Sequence, residues 1–214
     1  MLSTGRIIIA ALLLSLFLVS GALAEAGQLP APQTEGGMGL FTALKNRASA
    51  PGGDFPSAPL SREELSTILW AASGLNRGAT GWTVPMSRGR EPYCRIYVAD
   101  AHGVSLYDWK EHSLVAVSQE NIKAKIGAQG FVKMASCILI LVSDAKGLAY
   151  FKDDVKAREF AQVLAGAMTQ DIYLAAAHYN MGARYIHAMN VDEIKTALQL
   201  PAGDEPICLM MLGK

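Results

Sequence analysis

The sequence predicts an α+β domain with a buried central helix, and three observations carry that prediction. The first is the run from Arg158 to Asn180, REFAQVLAGAMTQDIYLAAAHYN. In it Ala161, Leu164, Ala165, Met168, Ile172, Ala175, Ala176 and Tyr179 recur at alternating intervals of three and four, the spacing of one helix face. The second is the apolar stretch Cys137 to Val142, which has the length and composition of a strand covered on both sides. The third is the mixing of helical and strand-like segments without strict alternation, which suits α+β better than a doubly wound sheet. The long helix is expected to be the buried centre of the domain.

In chain order, residues 1–24 read as a targeting segment. Arg6 gives the positive start, Ile7 to Val19 is apolar apart from Ser15, and Ala22-Leu23-Ala24 forms a small-residue cleavage site, so the mature chain is expected to begin near Glu25 and to be exported to the periplasm or secreted. An uncleaved N-terminal anchor is the second reading; after cleavage no stable membrane span is expected. Residues 25–37, rich in Pro, Gly, Ala and Gln, read as a flexible leader. The domain proper is then 38–214.

Leu40 to Asn46 reads as a short helix and Arg47 to Pro59 as a Pro/Gly-rich loop. Ser61 with Glu64 forms a capping box that opens a helix ending at Gly74. Residues 75–92 form a long loop carrying Arg77, Arg88 and Arg90. Tyr93 to Val98 and Val104 to Trp109 make a hairpin across the turn Asp100 to Gly103. Helices are expected at about Ser118 to Ile126 and Phe131 to Ala135. After the Cys137 strand and the long helix come a strand at Ala183 to Ile186, a helix at Val191 to Leu200 and a last strand at Pro206 to Leu212.

The long helix is apolar nearly all round, because Val163, Ala167, Leu174 and Ala177 lie opposite its main apolar face. Such a helix is expected to be buried on several sides. Gln162, Thr169, Gln170 and Asp171 break its surface. These polar groups either carry a site or simply satisfy neighbouring backbone.

Composition narrows the function. Acidic and basic residues balance at 19 each, which argues against a nucleic-acid partner. The mature chain holds Cys94, Cys137 and Cys208, each in an apolar strand-like run and read as a small buried hydrophobe. His102, His112, His178 and His187 lack ligand spacing, so no metal site is predicted. No P-loop, G-x-G-x-x-G or G-x-S-x-G occurs, and no catalytic dyad is apparent.

The order of several stretches goes further. LKNRAS (44–49), LSREELSTILWAASGLNR (60–77), TVP (83–85), RIYVADAHGVSLYDWKEHSL (95–114), GAQGFVKMASCILILVSD (127–144), TQDIYLAAAHYNMGA (169–183) and ICLMMLG (207–213) together resemble the nitroreductase family of FMN flavoproteins. Within it they are most similar to short members related to the thiazole/oxazole-forming dehydrogenases. The resemblance implies a layered α+β fold, with a mixed or antiparallel sheet flanked by helices around a buried central helix, and a homodimer with FMN at the subunit interface. It also implies hydride transfer through the flavin N5 to a small-molecule substrate. The substrate, the electron donor and the catalytic residues stay unassigned.

Residue by residue, the resemblance makes Arg47 and Ser49 the phosphate-holding pair. Pro85, Met86, Ser87 and Arg88 fall in the loop that cradles the flavin. Gln129 reaches the pyrimidine edge, and the turn His187, Ala188, Met189 and Asn190 brings backbone N–H groups near N5. Gln170 and Asp171 match a Gln-Asn pair on the core helix. The chain departs from the family pattern at Pro51, where a second basic residue is usual. It departs also at Met86, Gly89 and Glu91, where Ser, Asn and Gln are usual, and at Asp171. Two functions therefore stand: an exported FMN oxidoreductase, and a flavin-free relative that keeps the fold as a binding or interaction module.

Overall fold

Alternation along the central strand dictates the layers. In Cys137–Ser143 every residue is buried, and successive side chains point to opposite faces. Cys137, Leu139 and Leu141 enter one apolar cluster, while Ile138, Ile140 and Val142 enter another. A strand of this kind needs cover on both sides, and helices supply it.

The computed structural model describes residues 26–78, 81–85 and 91–214. Among them the elements are β1 (Gly27–Gln28), α1 (Leu40–Asn46), α2 (Arg62–Ser73), β2 (Leu75–Arg77), β3 (Gly81–Trp82), β4 (Cys94–Ala99), β5 (Val104–Asp108) and β6 (Ser113–Ser118). There follow α3 (Lys123–Ile126), β7 (Cys137–Ser143), α4 (Ala145–Leu148), α5 (Asp154–His178), β8 (Gly182–Ile186), α6 (Val191–Leu198) and β9 (Glu205–Gly213). The main sheet has the order β1-β6-β5-β4-β7-β9-β8. Every neighbouring pair in it is antiparallel, so the sheet is antiparallel throughout rather than mixed. Helices α2 and α5 cover one face, and α3 and α6 the other. The fold is α+β.

The capping box forms as the sequence requires: Ser61 Oγ accepts the Glu64 N–H at 3.2 Å, and Glu64 Oε2 accepts the Ser61 N–H at 2.8 Å. Gly74 ends α2 in an extended conformation rather than the left-handed one.

Three expectations are corrected. First, the segment read as a flexible leader is built into the domain from residue 26 on. Gly27 and Gln28 pair with β6, Leu29 is buried, and the Pro30 carbonyl accepts a bond from Ser66 Oγ at 2.6 Å. Polar composition favours disorder only where no edge strand offers partners, and β6 offers one. Second, the helix expected from Ser118 shrinks to α3, and Ser113–Ser118 is a strand paired with β5. Third, α5 is open along one side: Val163 is 71% exposed, and Gln162 and Gln170 are exposed as well.

All three cysteines are buried free thiols. Burial pushes the Cys94 and Cys137 thiols upward and Cys208 to about 11, which makes them inert packing groups. Among the described residues no helix is long and apolar enough to cross a membrane. Residues 1–24, expected from the sequence to be a targeting segment, lie outside the described residues.

Candidate functional site

Strand β8 is an edge of the sheet, and an edge strand presents alternate N–H and C=O groups outward. Two of these are covered. Helix α1 ends where Arg47 turns the chain into an extended path, and Ala50 N–H then donates to the Ala183 carbonyl at 2.9 Å. Two residues along, the Tyr185 N–H donates to the Tyr173 hydroxyl of α5 at 2.8 Å. The parity that turns Ala183 and Tyr185 outward turns His187 outward too, at the start of the turn His187–Asn190.

Arg47 and Ser49 meet at Tyr173. The Ser49 hydroxyl lies 2.8 Å from the Tyr173 hydroxyl, and the Arg47 guanidinium stands 5.3 Å from the centre of the Tyr173 ring. Ser49 is exposed and Arg47 half-buried. A second cation, Arg184, clamps the same loop from the other face of the strand. Its Nη1 donates to the Ala50 carbonyl at 2.8 Å, and its guanidinium lies 5.4 Å from the Phe131 ring centre.

The turn at the far end of β8 is equally defined. Ala128 N–H donates to the Ala188 carbonyl at 3.1 Å, and Asn190 N–H to the Ile126 carbonyl at 2.9 Å, making a bridge between Gly127 and Met189. The Asn190 side-chain amide adds a bond to the Lys125 carbonyl at 2.6 Å. These contacts set exposed Gln129 beside exposed His187 and Ala188.

Between α5, β8 and β9 lies a cleft of about 880 Å³, whose walls include Phe151, Arg158, Gln162, Tyr185, His187 and Met189. Gln162 and Gly166 on the wall, and Gln170 one turn on, form a single stripe along α5 at intervals of four. Gln170 is exposed rather than part of a buried polar cluster, and it does not line the cleft. Asp171 is half-buried, and burial pushes its carboxyl up to about 6.

The structure therefore brings Arg47 together with Ser49, and Gln129 together with His187, Ala188, Met189 and Asn190, with β8 as the link. Pro85 is exposed, follows β3 on another part of the domain, and lines neither this cleft nor the smaller cavity beside Tyr173. Met86, Ser87 and Arg88 lie outside the described residues. Sequence reasoning missed Tyr173, Arg184 and Tyr185. Only their tertiary partners single them out.

A model of the nitroreductase family matches residues 53–214; Arg47 and Ser49 precede that span. A candidate nitroreductase from Ralstonia eutropha JMP134 is 30% identical with a TM-score of 0.82, over 91% of this chain and 90% of that one. A candidate nitroreductase from Methanocaldococcus jannaschii is 26% identical over 170 residues, 75% of this chain and 84% of the relative. An FMN-dependent nitroreductase from Clostridium difficile R20291 shares the fold at 19% identity and a TM-score of 0.55, over 81% of this chain and 86% of that one.

Proposed function

The chain belongs to the nitroreductase family, and from that premise we propose that it is an exported, FMN-dependent oxidoreductase that works as a homodimer on a small-molecule substrate. One observation carries the reading. The outer edge of β8 joins a cation and hydroxyl pair at Ala183 to an outward N–H turn at His187. Four residues of strand separate them, about 13 Å, a span that a ribityl chain and ring can bridge from a phosphate.

The residues fit the group. Arg47 offers a forked donor and Ser49 a hydroxyl for the phosphate. Gln129 offers an amide for the pyrimidine edge, and His187 offers an outward backbone N–H where the redox ring would lie, with Ala188 bonded on the other side to Ala128. Asn190 holds that turn in shape through its bond to Lys125. Tyr185, Phe151 and Met189 give apolar walls that limit water, and Gln170 is assigned to the flavin by resemblance alone. The stretch from Pro85 to Arg88 is assigned to the flavin by resemblance alone. Bound FMN supplies two-electron transfer, and the protein supplies placement and electrostatics.

The dimer reading rests on exposed apolar side chains of two elements: Leu40, Phe41 and Leu44 on α1, and Val155, Phe160 and Val163 on α5. Surfaces of this kind mark association sites. Export rests on the targeting segment at residues 1–24.

Absorption spectroscopy of purified mature protein, passed through gel filtration with and without added FMN, tests the proposal. Flavin bands travelling with the protein support it. Protein that retains no flavin supports the flavin-free binding module instead, which the departures at Met86, Gly89 and Glu91 favour.

A further inference from the structure

We infer that Tyr173 is a positioning residue that aims the Ser49 proton at the phosphate of a bound ligand; the inference rests on the FMN reading above. It follows from the directions in which the hydrogen bonds at Tyr173 are donated. The Tyr185 backbone N–H can only donate, so the Tyr173 oxygen accepts that bond at 2.8 Å. The phenol then has one proton to place, and Ser49 Oγ lies 2.8 Å away. Tyr173 is itself buried, at 7% exposure, so its proton goes to that neighbour rather than to water. Ser49 Oγ becomes the acceptor, and its own proton is left to point outward from an exposed position.

The chain runs one way, from the Tyr185 N–H through the Tyr173 O–H to the Ser49 O–H. Each bond polarises the next, which strengthens the last donor. Arg47, held over the face of the same ring at 5.3 Å, adds its charge beside that donor. The pair is built for a tetrahedral oxyanion such as a phosphate monoester, and the sheet edge itself is the source of its orientation. Replacing Tyr173 by Phe removes the middle of the relay: the Ser49 proton loses its fixed direction while the ring that seats Arg47 remains.

Titration of FMN and riboflavin by fluorescence quenching, with wild type, Tyr173→Phe, Ser49→Ala and the double mutant, tests this. Each single change weakens FMN about tenfold and leaves riboflavin, which has no phosphate, unchanged. The double mutant binds FMN no more weakly than Ser49→Ala, because the relay has one exit. Wild-type FMN affinity in Tyr173→Phe, equal loss of both flavins, or losses that multiply in the double mutant overturn the inference. Where Tyr173→Phe is too unstable to titrate, Ser49→Thr retains the preference for FMN over riboflavin and Ser49→Ala loses it; an undiminished preference in Ser49→Ala overturns the inference. Wild-type protein that binds neither flavin overturns the FMN reading and this inference with it.

Discussion

Gly182 and Gly213 face each other across the pairing of β8 with β9, and together they form the floor on which Pro56 rests. A Cβ at Gly182 would come within 2.6 Å of the Pro56 ring, and one at Gly213 within 1.9 Å of the Pro56 carbonyl oxygen. Ala58 and Lys214 close the same contact with two backbone bonds of 2.9 and 3.1 Å. The loop that carries Arg47 and Ser49 is seated against the sheet by this lack of side chains.

Gly213→Ala is therefore expected to lift the loop. The overpacking costs about 1–3 kcal/mol, read as a lower midpoint in urea unfolding, and FMN binding weakens alongside. An unchanged midpoint contradicts the seat.

Asp171→Asn is expected to stabilise the protein above pH 6. Burial raises the folded-state carboxyl from 3.8 to about 6, so the unfolded chain gives up its proton first. The contribution of Asp171 is thus fully present below pH 3.8 and is lost as pH rises through about 6. Because the group is only half-buried, the gain on substitution is discounted to on the order of 1 kcal/mol. Urea midpoints at about pH 7.5 and about pH 4 should show the gain only at the higher value.

His112 gives a pH effect of opposite sign. Its Nε2 sits 2.7 Å from Ser66 Oγ and 3.1 Å from the Pro30 carbonyl, and its Nδ1 sits 2.9 Å from the Tyr107 hydroxyl. Burial, partly opposed by the bond to Pro30, lowers its pKa from 6.5. The stability it contributes is present above pH 6.5 and is lost as pH falls through the lower folded value. Acid thus loosens the 28–30 segment. His112→Gln should flatten the fall in urea midpoint below pH 6.5; an unaltered slope contradicts the assignment.

Phe41 is 85% exposed, and Leu40 and Leu44 on the same helix are exposed with it, an apolar grouping of the kind that marks association. Light scattering at micromolar concentration is expected to give the mass of two chains. Phe41→Asp should shift it toward one, and a monomer mass for wild type counts against a shared pocket.

The parts of the fold that were legible in sequence were the ones fixed locally or by strict alternation. The Ser61–Glu64 box, the Cys137–Val142 strand and the α5 period are of this kind. Gly27 and Gln28 carry no pattern of their own, and only β6 makes them a strand. Apolar periodicity could not tell that Val163 faces outward, since an exposed apolar face and a core face share one composition. At the site, Arg47, Ser49 and the 187–190 turn came from resemblance, whereas Tyr173 lies 124 residues from Ser49 and only folding joins them.

On the function proposed above, Arg47 and Ser49 hold the phosphate of a flavin. The most direct test is fluorescence titration of FMN and riboflavin with wild type and Arg47→Ala. A phosphate carries about two negative charges, and losing a charge-assisted contact to it costs on the order of 1.5–3 kcal/mol. FMN binding is expected to be weaker by roughly ten- to a hundredfold in Arg47→Ala, with riboflavin binding unchanged. Equal loss of both ligands, or FMN affinity untouched by the substitution, would contradict it.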